Sequence, residues 1–158
     1  MKKIAVEIKW GIVFFAVIIL WTVFEKLMGW HDVNIEQHRI YSSFFALPAI
    51  AIYVLALIDK RKRDYGNKMT WVQGFMTGLI IAVIVAILSP LGQLLTHEYL
   101  SPEYFSNVIA YVVKTGEMNQ VDAEAYFNLK SYIIMSIKGA IMMGVLTSAV
   151  VALFVRKK

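Results

Sequence analysis

Four long apolar stretches constrain this chain more than anything else in it: Gly11–Met28, Ile40–Ile58, Trp71–Leu95 and Tyr132–Val155. A helix rising about 1.5 Å per residue needs about 20 residues to cross some 30 Å of hydrocarbon, and each stretch is near that length. From Ile12 to Leu20 the first reads IVFFAVIIL, and from Leu79 to Leu88 the third reads LIIAVIVAIL, neither with a polar face. A soluble helix keeps such a face. Lipid gives the backbone no hydrogen-bonding partner, so even β-branched runs fold as helices there. The pattern predicts four transmembrane helices in one transmembrane domain spanning residues 1–158.

Composition agrees. Apolar residues make up 59% of the 158 and charged ones 17%, with mean hydropathy +0.62. A soluble domain runs nearer a quarter charged, and a disordered chain is poor in aromatics, which here reach 13%. With no cysteine there is no disulfide framework and no thiolate ligand or nucleophile. A cleaved signal peptide competes for the first stretch. No small-x-small cleavage site follows it, the chain continuing Glu25-Lys26-Leu27-Met28-Gly29-Trp30, so the helix is expected to be retained.

The net charge of +5 points to topology rather than nucleic acid. Eleven of the sixteen basic residues flank the chain ends or fill the second connection: Lys2, Lys3, Lys9, Lys60–Arg63, Lys68 and Arg156–Lys158. Only Arg39, Lys114 and Lys130 fall on the other side, while Lys26 and Lys138 lie within helices. The positive-inside rule then predicts both termini in the cytoplasm and a multi-pass protein of the cytoplasmic membrane. Trp10 and Trp30, spaced by about one bilayer crossing, and Trp71 fit interfacial belts. Trp21, mid-helix, is expected to pack or face lipid.

An exterior insert is expected between the third and fourth helices. Ser101-Pro102-Glu103 reads as an N-cap, a first-turn proline and an acid suited to the helix dipole. Tyr104, Phe105, Val108, Ile109 and Val112 form an apolar stripe, and Gly116 suits a left-handed helix end. The stripe predicts a helix that lies on the membrane surface or caps the bundle. A second start at Asn119, with Asp122 three residues on, has no breaker before the last stretch, predicting one continuous helix into the bilayer. The fold class is thus an all-α membrane four-helix bundle with a helical insert at about residues 101–130.

Small residues recur every four positions at Gly74, Gly78, Ala82 and Ala86, and again at Ser136, Ala140, Gly144, Ser148 and Ala152. Such stripes let helices approach closely where no hydrophobic effect drives them together. They are expected to face each other or a second copy of the chain.

Several strings in fixed order resemble a known family: Lys2-Lys3-Ile4-Ala5 and Glu7-Ile8-Lys9-Trp10-Gly11, Glu25-Lys26 leading to His31-Asp32, Tyr53–Leu57 running into Asp59-Lys60-Arg61, Gln73-Gly74, Ser89-Pro90, and Tyr126–Tyr132. Together they resemble the bacterial membrane proteins grouped as domain-of-unknown-function family 4199. The resemblance implies a small four-helix membrane protein of a bacterial envelope and carries no established activity.

Candidate chemistry gathers in the outer half. Glu25, Lys26 and Lys138 are ionisable groups in or at the edge of the bilayer, where charge is costly and usually pairs, snorkels or lines a wet cavity. Glu25 lies about 24 Å along the helix from Lys9, and Lys138 about 27 Å from Arg156, so the two are expected at similar depth as an ion pair. Pro48 and Pro90 free the carbonyls of Phe44 and Ala86, and Gln93 follows one turn on. These residues suit an outward polar cavity, although snorkelling charges and ordinary kinks are the simpler reading. His31, His38 and His97, with Asp32, Glu36 and Glu98, are ligand types for divalent ions. Their spacing matches no metal signature, and solvated loop residues are the simpler reading. No catalytic motif, cofactor or nucleic-acid partner is indicated. Two functions remain: a structural or interaction protein that oligomerises or serves a larger complex in the bilayer, which leads, or a small transport or permeation protein. A hydrated cavity rather than a dry centre would favour the second.

Overall fold

The computed structural model describes residues 4–157. Lys2, Lys3 and Lys158, which contribute to the basic count above, lie outside the described residues. The chain is all helical, with seven α-helices among the described residues: α1 (Ala5–Leu27), α2 (Ile35–Tyr41), α3 (Ala46–Asp64), α4 (Trp71–Leu94), α5 (Tyr104–Lys114), α6 (Gln120–Tyr126) and α7 (Leu129–Val155). The short helices are joined to long ones by a 3₁₀ turn, Ser42–Phe45, and a π turn, Leu95–Leu100. Four helical segments are long and apolar enough to cross a membrane: Ala5–Leu27, Ile35–Asp64, Trp71–Leu100 and Leu129–Val155.

The four long helices form a ring in which α4 packs on α1 and α7, and α3 closes the other side against the same two helices. Both described chain ends lie at one end of this bundle, where Met69 and Lys157 exchange backbone hydrogen bonds at 2.8 and 2.9 Å. Side chains from α1 and α3 lock that end. Lys60, buried, bridges Glu7 at 2.8 Å and Asp64 at 2.6 Å. Asp59 accepts from Lys9 at 2.7 Å and from the Trp10 indole at 2.9 Å. The basic run of the second connection therefore contributes a buried ion pair as well as surface charge.

The two small-residue stripes lie against each other along the antiparallel α4–α7 seam. A Cβ placed on Gly78 would sit 2.2 Å from the Ser148 hydroxyl, one on Gly144 2.3 Å from the Ala82 Cβ, and one on Gly74 3.1 Å from the Ala152 Cβ. Ordinary carbon contacts need about 3.5–4.0 Å, so glycine is what permits this approach. Over Gly74–Ala82 and Gly144–Ala152 the two stripes are thus used against each other within one chain. The main core, around Phe14, Tyr53, Leu57, Ile81 and Val151, fills the half of the bundle next to the termini.

Two local expectations are corrected. The final helix is not continuous with the insert: α6 ends at Tyr126, and Asn128 interrupts the run. Its amide donates to the carbonyls of Glu124 and Ala125, closing α6, while its side-chain oxygen accepts from the Ser131 N–H at 2.9 Å, opening α7. A residue able to cap both helices outweighs the absence of Gly or Pro. Nor does Ser101 cap α5, which starts at Tyr104; the Ser101 hydroxyl is committed elsewhere. The α5 stripe packs Tyr104, Val108 and Val112 with Ala123, Ile35 and Tyr132, a second small core that caps the bundle.

Candidate functional site

The end of the bundle opposite the termini is built on a tight reversal after α1. Gly29 takes φ +74°, a conformation that favours glycine, and the N–H of Trp30 returns to the carbonyl of Glu25 at 3.0 Å. The reversal folds Trp30 back onto Tyr41, with stacked rings 4.8 Å apart, and turns His31 inward. α2 then supplies His38 from the other side. This change of direction, rather than any helical period, brings together residues whose spacing resembles no known ligand set.

Three side chains converge there. Glu25 Oε2 lies 3.5 Å from His31 Nε2 and 3.8 Å from His38 Nε2. One ligand atom from each of the three lies within 4.8 Å of the others. The other carboxylate oxygen, Oε1, accepts from the Trp21 indole at 2.8 Å and from the Ser42 hydroxyl. His31 Nδ1 meets the Ser101 hydroxyl at 2.7 Å, and His38 Nδ1 lies 3.4 Å from the Tyr104 hydroxyl. Tyr104 stands at the centre, its ring 5.3 Å from each of the three histidine rings. Burial, and then the neighbouring Tyr132 hydroxyl, push the Tyr104 phenol well above its usual range, so it stays protonated.

His97 completes the group. The π turn that extends α4 carries its ring inward to stack on Phe105 at 4.1 Å. His97 Nε2 pairs with Gln93 Oε1 at 3.2 Å, and Nδ1 is buried with no hydrogen-bond partner among the described residues. With Nε2–H donating to Gln93, that Nδ1 presents an unused lone pair.

These groups form the polar roof of a cavity of about 670 Å³ in the far half of the bundle. Its lower wall is mostly apolar, from Phe14, Ile18, Ala49, Val85 and Met143 down to Tyr53 and Gly144, with the hydroxyls of Ser89, Ser136 and Thr147 among them. The cavity is lined by α3 and α7 together with α1 and α4, and towards its lower end the Tyr53 hydroxyl lies against Gly144. Gly139 on α7 lines it and has open space where a side chain would project. Pro90 removes one backbone donor from α4, and Ser89 donates its hydroxyl to the freed Ala86 carbonyl at 2.9 Å.

Of the residues picked out in the sequence, Glu25 and Gln93 line this cavity. Lys26 does not enter it; its ammonium donates to the Leu100 carbonyl at the rim. The Glu25–Lys138 ion pair is overturned: Glu25 takes Trp21, Ser42 and the two histidines, while Lys138 is exposed and makes no ion pair among the described residues. Similar depth left azimuth undetermined, and Lys138 lies on the outward face of α7. The histidines are corrected as well. His31 and His97 are buried, 5% and 9% exposed, and His38 is half-buried. Trp21 hydrogen-bonds Glu25 rather than merely packing. Ser42 carries no signal in the sequence, Ser101 reads there only as an N-cap, and Tyr104 only as a member of the α5 stripe.

No curated protein and no solved structure matches the chain. Residues 9–157 match the family model described as protein of unknown function (DUF4199), which covers nearly the whole chain, and the chain belongs to that family.

Proposed function

We propose that this is a multi-pass protein of a bacterial cytoplasmic membrane that takes an amphiphilic, lipid-class ligand into the cavity between α3 and α7, as a small binding or permeation protein. One observation carries the reading: a cavity of about 670 Å³ whose roof is polar and whose walls are mostly apolar. That size falls within the usual range for small-molecule sites, about 300–1,000 Å³, and its division matches a molecule with a polar head and an apolar tail. The unused lone pair of the buried His97 Nδ1 asks for an O–H or N–H donor on that head. The basic asymmetry orients the cavity mouth towards the exterior, with both termini in the cytoplasm. A purely structural role draws less support, because three contacts of the two stripes are made within the chain, one of the two arrangements they suit.

Native mass spectrometry of the chain released from detergent tests the reading. Wild type should retain one amphiphile, and Ala49→Trp, which fills the apolar wall, should lose it. Retention of the same molecule by both, or by neither, refutes the reading.

A further inference from the structure

We infer that Glu25, His31 and His38 form a binding site for a divalent transition metal, zinc being the best fit, with an open coordination position facing the cavity. The inference goes beyond the cavity's ligand and stands without it.

Distance is the first support. A tetrahedral zinc with bonds of about 2.0–2.1 Å sets its ligand atoms about 3.3–3.4 Å apart. The Oε2–Nε2 separations of 3.5 and 3.8 Å lie just outside that edge length and beyond good hydrogen bonds, about 2.7–3.2 Å. Closure therefore needs shifts of a few tenths of an ångström on these two edges, with the three ligand atoms together already within 4.8 Å of one another. Chemistry is the second. Two imidazoles and one carboxylate are a hydrolytic-zinc type of donor set, three protein ligands with a fourth position left free.

The surrounding groups are the third and most specific support. Trp21 and Ser42 both donate to Glu25 Oε1, which fixes the carboxylate and leaves Oε2 towards the histidines. Ser101 holds His31 at Nδ1 and Tyr104 approaches His38 at Nδ1, so in both rings Nε2 faces Glu25. When Nδ1–H is the donor, as at a metal-bound imidazole, each Nε2 presents a lone pair. In that tautomer two lone pairs and a carboxylate face one spot, an arrangement that a cation between them stabilises. All three residues line the cavity, so the free position would meet water or an oxygen of the head group.

The test uses the full chain in lipid nanodiscs, stripped with a chelator and titrated with Zn(II) alone and with Co(II) alone. Wild type should bind one equivalent of zinc, and cobalt should give the intense visible absorption of a tetrahedral site. Ser101→Ala, which removes only the support of His31, should weaken zinc binding about 10–100-fold. Glu25→Gln and His38→Gln should weaken it further, and His97→Gln should leave it unchanged. If Glu25→Gln fails to fold, the half-buried His38 and the wild-type stoichiometry decide. Wild type taking up neither metal overturns the inference, as does equal affinity in wild type and His38→Gln. A chain that retains an amphiphile yet binds no zinc overturns this inference and leaves the cavity reading intact.

Discussion

Adding one methyl group at Gly78 and at Gly139 should have opposite consequences. Both glycines sit inside long helices, so in each case alanine gains about 1 kcal/mol of helix propensity. At Gly139 nothing lies within 4 Å of the new carbon, and that gain stands alone. At Gly78 the carbon would lie 2.2 Å from the Ser148 Oγ, 2.6 Å from its Cβ and 3.3 Å from its Cα. Neither Cβ nor Cα moves with χ1, so no rotamer of Ser148 removes the 2.6 Å conflict and α4 must move off α7. Overpacking of that kind costs about 1–3 kcal/mol, leaving Gly78→Ala net destabilising by about 0–2 kcal/mol. At about 2–4 °C per kcal/mol for a chain of this size, Gly139→Ala should melt a few degrees above wild type and Gly78→Ala at or below it. Thermal melts in one mild detergent read both. Equal shifts of the same sign would refute the close seam. Ile87→Leu, at a side chain 71% exposed, is the lipid-facing control and should leave the melt unchanged.

The terminal-end ion pair gives a second prediction: Lys60→Met should cost about 3–5 kcal/mol by stranding Glu7, and adding Glu7→Gln should recover most of it. Denaturation midpoints of the two variants check this, and equal loss in both would contradict it. Lys138→Met should leave melting unchanged, since that lysine is exposed and makes no ion pair among the described residues; a large loss would reinstate a partner for it. For topology, an impermeant thiol reagent on intact cells should label Asn119→Cys and not Lys62→Cys, with the reverse result inverting the orientation.

Much of the architecture was legible because it follows from one-dimensional patterns. Hydrophobic length marks the four spans, and the four-residue recurrence of Gly74, Gly78 and Ala82 names residues that meet Ala152, Ser148 and Gly144. The site was harder to read because it is assembled by a reversal of direction. Glu25 drew notice as a charge at the membrane edge, but its partners depend on the positive φ at Gly29 and on the inward face of α2, neither of which spacing encodes. His97 seemed to belong to a loop because the apolar run ends at Leu95, whereas a π turn carries the helix on to Leu100. Asn128 was read through because it lies between helix-forming residues, although asparagine is a strong N-cap.

A high-resolution structure of the chain in lipid tests the central claim most directly. The account predicts one elongated density between α3 and α7, its apolar end near Tyr53 and Gly144 and its polar end within about 3 Å of His97 Nδ1. A bundle in which α3 closes against α7 along its whole length, with side chains filling the space below Glu25, would contradict it.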